Sequence, residues 1–276
     1  MVQRCYCNWL TLLTPEQVIE LKQSYGSSLR VVMGVDFGSN PAASQTFISI
    51  ILHWRKSGRY QLAWIEGRPQ EHQLDQSAHI ARLGANYNID YGVGDLGYGQ
   101  IQVKVIADGH RDSKDRPFAG LGSSRFIGCR TIGSEVKPSE QYHQDTDEHG
   151  TELGRLQIDK TTSIQMFIDF LGWNVPINDE RSPQLEPSHV TDSVAPKFMI
   201  PMKKDWETDF LLDDFCATTR KDLDVEQDTE KEDPRQKARK EFNHPRDSMM
   251  SIIYCLIADQ NYQEGAYRIS RVRKRR

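Results

Sequence analysis

No two of the five cysteines, Cys5, Cys7, Cys129, Cys216 and Cys255, are spaced as CxxC. Their odd number and scatter argue against a disulfide framework or a zinc ribbon. Cys5 and Cys7, two apart, are poorly spaced for zinc and read as ordinary side chains. No apolar run is long enough to span a bilayer. The opening stretch "MVQRCYCNWLTLLTPEQ" has no clean signal-peptide cleavage pattern. The expectation is a soluble, intracellular protein with no membrane partner. Positive charge is not in excess either. A net charge of −4 gives no blanket attraction to nucleic acid, so any DNA contact has to come from local basic patches. A GxxxxGK[ST] phosphate loop is missing, as are internal repeats. The apolar share, 37% of 276 residues, is low. It predicts long polar loops or a mobile segment around a core that can still be sizeable.

What is present begins with a helix signal in "TPEQVIELKQSYG". Thr14 is placed as N-cap, Pro15 at the first helical position, Gln17 to close a capping box, and Gly26 to stop the helix. "RVVMGVD" reads as a buried strand. "QTFISIILHW" and "YQLAWIEG", joined by the turn "KSGR", complete an antiparallel meander. "DQSAHIARLGANYN" has helical spacing. It leads to a fourth strand, "IDYGVGD", which is expected to run parallel to the first. "GYGQIQVKVIADG" starts another helix and "SRFIGCRTIG" gives a fifth strand. Ser134 to Gly154 is polar and is read as a solvated loop, although His143, Asp145, Asp147, Glu148 and His149 leave a metal site open there. An amphipathic helix follows, with Ile164, Phe167, Ile168 and Leu171 facing inward. "DWETDFLLDDFCATTRKDL" reads as helical. Asp222 to Asp233 is read as a solvated acidic run that switches to the basic "RQKARKEF". A strongly apolar helix, "PRDSMMSIIYCLIAD", and a basic tail close the chain.

Three acids stand at suggestive places. Asp36 ends the first strand, Asp95 ends the fourth, and Asp247 lies in the first turn of the late helix. Taken alone, Asp36 is simply a strand-end cap or turn former. Likewise, Gly97 and Gly99 after Asp95 can merely make a turn. The order of elements, however, is that of a ribonuclease H-like mixed α/β sheet: three antiparallel strands, then parallel strands, five in all, flanked by helices. That order brings the first and fourth strands side by side. Three crowded carboxylates repel each other and raise each other's pKa, and hard divalent cations relieve this through oxygen ligands. Two such ions can activate a water and stabilise the leaving oxygen of a phosphodiester.

"GVDFGSNPAAS", "IDYGVGDLGYG" and "NHPRDSMMSIIYCLIA" together resemble the nuclease domain of the large terminase subunit of tailed viruses. The matching positions are Asp36, the Asp95–Gly99 element of form D-x-G-Y-G, and the H-x-x-D step from His244 to Asp247. The resemblance spans roughly Val31 to Asp259. It implies a ribonuclease H-like nuclease that cuts double-stranded DNA concatemers during genome packaging in the host-cell cytoplasm. It also implies Asp36, Asp95 and Asp247 as ligands of two Mg²⁺ or Mn²⁺ ions, with His244 beside them. The terminase ATPase domain, the small terminase subunit and the portal protein are the implied partners. Residues 1–27 are then expected to be a linker or the tail of an ATPase domain, and 28–276 the nuclease domain with its basic tail.

Candidate phosphate contacts are Lys160, Arg235, Lys237, Arg239 and Lys240. Other basic groups, including Arg111, Lys114 and Arg116, read as solvated surface, and no base-reading motif is present. Glu66 is read as a surface residue, with a place near the acids left open. Competing readings are an actin/hexokinase-like phosphotransferase, because "GVDFGS" resembles a phosphate loop of that superfamily, a Holliday-junction resolvase or transposase, and a non-catalytic portal-docking domain.

Overall fold

The computed structural model describes residues 5–7, 10–38, 45–69, 71–132, 142–146, 152–176, 194–201 and 247–273. In chain order the elements begin β1 (Tyr6–Cys7), α1 (Pro15–Tyr25), β2 (Leu29–Asp36), β3 (Thr46–Trp54), β4 (Arg59–Arg68), α2 (Gln73–Asn86) and β5 (Tyr91–Asp95). Next come α3 (Gln100–Asp108), β6 (Gly109–Arg111), β7 (Pro117–Ala119), β8 (Phe126–Ile132), β9 (Tyr142–Thr146) and β10 (Glu152–Asp159). The remaining elements are α4 (Lys160–Leu171), β11 (Asn174–Pro176), β12 (Val194–Pro196), β13 (Phe198–Pro201) and α5 (Asp247–Arg273).

The main sheet has the order β1-β13-β4-β3-β2-β5-β8-β10-β9. β2, β3 and β4 form the expected antiparallel meander. β5 then lies parallel to β2, and β8 parallel to β5. This is the ribonuclease H-like arrangement: a mixed sheet flanked by helices.

Two additions widen it beyond the expected five strands. On one side β13 pairs parallel with β4, and β1 pairs with β13. On the other, β10 pairs parallel with β8 and antiparallel with β9. The β9–β10 hairpin corrects the reading of Ser134 to Gly154 as a loop, since Tyr142–Thr146 and the start of β10 fall within that stretch. β9 is an edge strand, and an edge strand needs no apolar run to hold its place. Asp147, Glu148 and His149 lie outside the described residues, as do Cys216, the "DWETDFLLDD" stretch and the acidic run.

Local signals produced the helices as expected. Thr14 Oγ1 accepts from the Gln17 amide, and Gln17 Oε1 accepts from the Thr14 amide, which closes the capping box. In α4, Ile164, Phe167 and Leu171 are buried. Residues of the 1–27 stretch pack on the sheet: Leu10, Leu13 and Val18 are buried with Val31, Met33 and Val35 of β2. Cys5 and Cys7 are buried as well, and burial pushes their thiols up to about 11 and about 12.

The two faces of β2 belong to different layers. Val31, Met33 and Val35 pack with α1 and α2 residues such as Val18 and Ile80, whereas Val32 packs with Ile252, Ile253 and Ala258 of α5. At Gly34 the helix backbone lies directly on the strand. A Cβ there would overlap the carbonyl oxygen of Ser251 and stand 2.6 Å from the Cys255 nitrogen. The contact is secured by Ser49 and Ser251, whose hydroxyls are 2.6 Å apart, and by the Cys255 thiol donating to the Ser49 carbonyl at 3.2 Å.

Candidate active site

β2 and β5 are parallel neighbours with Val35 opposite Gly94. Asp36 and Asp95 are the next residues on each strand, so the two acids end adjacent strands at the same edge. Side chains alternate along a strand. Asp36 therefore shares the face of Val32 and Gly34, and Asp95 the face of Tyr91 and Val93. Both faces are covered by α5. The direction of α5 completes the placement. Ser251 and Cys255 lie over Gly34, and Asp259 reaches Arg30 near the start of β2. The helix therefore starts at the edge where β2 and β5 end, and its first residue, Asp247, lies one turn before Ser251. His244 lies outside the described residues.

Asp95 is 6% exposed. Its Oδ1 accepts from the Tyr254 hydroxyl at 3.2 Å, and its Oδ2 accepts from the Tyr98 amide at 3.3 Å. Burial raises its pKa; the amides of Gly97 and Tyr98, the Tyr254 hydroxyl and the charge of Lys160 pull the other way, and burial prevails. Tyr254, fully buried, is driven far above the ordinary phenol range by burial and by the charges of Asp95 and Asp36. It therefore stays a hydrogen-bond donor. Asp36 is half-buried.

The glycines of "DLGYG" have separate reasons. A Cβ on Gly97 would sit 2.9 Å from Asp95 Oδ2. One on Gly99 would overlap the Phe37 ring and approach the Asp95 carbonyl oxygen at 2.6 Å. The loop is thus a tight turn that packs closely on the Asp95 carboxylate and on Phe37.

Of the candidate basic residues, Lys160 is brought close enough for its charge to act on Asp95. It opens α4, which follows directly from β10, and the Asp159 carboxylate caps that helix on the Thr162 amide at 2.5 Å. Arg235, Lys237, Arg239 and Lys240 lie outside the described residues. Arg111 and Arg116 flank the turn between β6 and β7, and acids answer both. Arg111 Nη1 is 3.0 Å from Asp115, and Arg116 Nη2 is 2.7 Å from Asp112.

Glu66 differs from both of its readings. It pairs across the sheet with Ile48, whose side chain belongs to the layer opposite α5. It is therefore on the other face from Asp36 and Asp95. There it is half-buried and bonded to His79 Nε2 and Trp64 Nε1. Tyr254 is the site residue that sequence reasoning missed. Its only signal is a polar-tipped aromatic two turns after Asp247 in an otherwise apolar run.

Two carboxylates at adjacent strand ends are hard oxygen donors of the kind that Mg²⁺ and Mn²⁺ take. Among the described side chains, Asp36 and Asp95 are not joined by a third His, Cys, Asp or Glu to make a complete set. The backbone start of α5 places Asp247 on the same edge.

No family model and no curated protein matches the chain. Among solved structures it is similar to the human cytomegalovirus terminase nuclease domain, at 9% identity and a TM-score of 0.39, over 90% of this chain and 89% of that one. It is also similar to the large terminase nuclease from thermophilic phage G20c, at 16% identity and a TM-score of 0.25, over 48% of this chain and 75% of that one. A third is the large terminase nuclease domain from bacteriophage SPP1 with bound Mn, at 12% identity and a TM-score of 0.28, over 54% and 85%. Among the described residues, no helix is long and apolar enough to cross a membrane.

Proposed function

We propose that the chain is a divalent-metal-dependent endonuclease that hydrolyses double-stranded DNA with little sequence preference, as the nuclease part of a viral genome-packaging terminase. The observation that carries this reading is the meeting of Asp36 and Asp95 at the ends of two adjacent parallel strands, on the face where α5 begins at Asp247. The packaging role rests on the resemblance of the three acid motifs. In that setting an ATPase domain, the small terminase subunit and the portal are partners.

Asp36, Asp95 and Asp247 would hold Mg²⁺ or Mn²⁺, in the two-ion form that the resemblance implies. Bound ions supply an activated water and charge stabilisation for the leaving oxygen. The protein's own groups do the rest. Tyr254 and the Tyr98 amide fix the two oxygens of Asp95, so the carboxylate does not rotate when a cation or a phosphate approaches. Lys160 adds positive charge beside an otherwise acidic edge, where a phosphodiester has to come near. His244, three residues before Asp247, is assigned to proton transfer or to the metal.

The test is plasmid nicking in Mg²⁺ or Mn²⁺ by the wild type and by Asp36→Asn. Nicking should be abolished in the variant while its circular dichroism is unchanged. A folded, pure Asp36→Asn protein that cuts normally would sink the assignment. ATP turnover that follows the protein through purification, without DNA cleavage, would favour the phosphotransferase reading.

A further inference from the structure

The described residues leave five large apolar side chains exposed, and two of them, Tyr98 (61% exposed) and Ile101 (66%), lie within six residues of Asp95. They do no packing work for the fold. Nor are they loosely placed. The Tyr98 amide donates to Asp95 Oδ2, Gly97 is pressed on the same carboxylate, and Gly99 is pressed on Phe37. The backbone on either side of Tyr98 is thus tied to the acid site while its ring is left in solvent. Ile101 follows in the first turn of α3.

We infer that Tyr98, flanked by Ile101, is a stacking surface for an unpaired nucleobase, melted or flipped out of the duplex, of the DNA strand whose phosphate is presented to Asp36 and Asp95. This rests on the nuclease reading and adds a substrate-positioning residue to it. The occupant follows from reach. A ring whose own amide touches the Asp95 carboxylate lies no further from a phosphate held there than the base of a neighbouring nucleotide. It also follows from charge. A chain of net charge −4 draws limited affinity from phosphate contacts, so an uncharged contact gains weight. Every base offers a π-face, so stacking holds the strand without reading its sequence.

The experiment uses the whole chain and a fluorescein-labelled single-stranded oligonucleotide, with Ca²⁺ replacing Mg²⁺ to suppress cutting. Anisotropy gives Kd at low and moderate salt for wild type, Tyr98→Ala, Tyr98→Leu and Tyr98→Phe. Loss of one stacked base weakens single-strand binding by about tenfold. A loss of that order is expected for Ala and Leu, with Phe close to wild type. The ratio of variant to wild type should persist as salt rises, because stacking releases no counterions. In plasmid nicking, KM should rise with Kd for Ala and be restored by Phe. Wild-type affinity in Tyr98→Ala overturns the inference and leaves the nuclease reading standing. Wild-type affinity in Tyr98→Leu also overturns it, since a ring is then not required. DNA binding that depends on Tyr98 in a protein that fails to cut DNA in Mg²⁺ or Mn²⁺ supports the contact and removes the nuclease reading.

Discussion

The Tyr254 hydroxyl donates to Asp95 Oδ1 across 3.2 Å, joining the last helix to the end of a central strand. Both groups are buried. Removing the hydroxyl leaves one carboxylate oxygen short of a donor inside the protein, which costs about 1–3 kcal/mol. Tyr254→Phe should therefore lower the urea midpoint. It should also reduce nicking more than a change far from the acids that lowers the urea midpoint by the same amount. Equal losses in the two variants would show that Tyr254 acts through stability alone.

Gly34→Ala should be among the most damaging single-methyl additions in the chain. Its Cβ would meet the backbone of α5 at Ser251 and Cys255, and a helix backbone cannot turn aside as a side chain can. Overpacking costs typically about 1–3 kcal/mol and sometimes more, and the upper end is expected here. Chemical denaturation measures it. A loss under about 0.5 kcal/mol, the level of an ordinary surface substitution, would contradict the seating of α5 on β2.

Divalent cations should raise the melting temperature of the wild type, because an ion bound only by the folded state stabilises it by mass action. Asp36→Asn should remove most of that gain, and EDTA should reverse it in the wild type. Thermal scans with and without Mn²⁺ test this. An undiminished gain in Asp36→Asn would place the ion elsewhere.

Far from the acids, Asp259 is nearly sealed among Arg30 Nη1 at 2.6 Å, His53 Nδ1 at 3.0 Å and the Tyr60 hydroxyl at 3.0 Å. Burial pushes its pKa up, but the bond and charge of His53 and the charge of Arg30 together push it further down, so the net shift is downward. A carboxyl depressed in the folded state stabilises the protein above its unfolded pKa. That contribution is lost as pH falls through the folded value. Stability should therefore fall below about pH 4, the ordinary range for an aspartate. Asp259→Asn should be less stable by about 3–5 kcal/mol at neutral pH, because the buried Arg30 loses its carboxylate counter-charge. It should also lose less stability on acidification. Urea midpoints between pH 3 and pH 7 for both proteins check the sign. An equally steep acid limb in the variant would show that other groups set it.

The sequence by itself determined the features that depend on neighbours a few residues away. Thr14 and Gln17 make their capping box within one turn. The apolar runs from Leu29 and Thr46 become strands, and both β2 and β5 end on their acids. Chain order and connection length then made β5 parallel to β2, which put Asp36 beside Asp95. Only the tertiary structure decided what surrounds those acids. Arg30 and Asp259 are 229 positions apart, and Tyr254 and Asp95 159 apart, so no local pattern records either pairing. The face that α5 buries was chosen by the missing side chain at Gly34, which lets one helix backbone come closer than any other residue allows. Glu66 went to the opposite face by strand parity once the β3–β4 register was set. The β9–β10 hairpin stayed hidden because its outer strand is held by pairing along one edge, and its polar side chains carry no mark of that. Tyr98 was readable as a letter of a motif. Its exposure beside a buried acid came only from the packing of Gly97 and Gly99 beneath it.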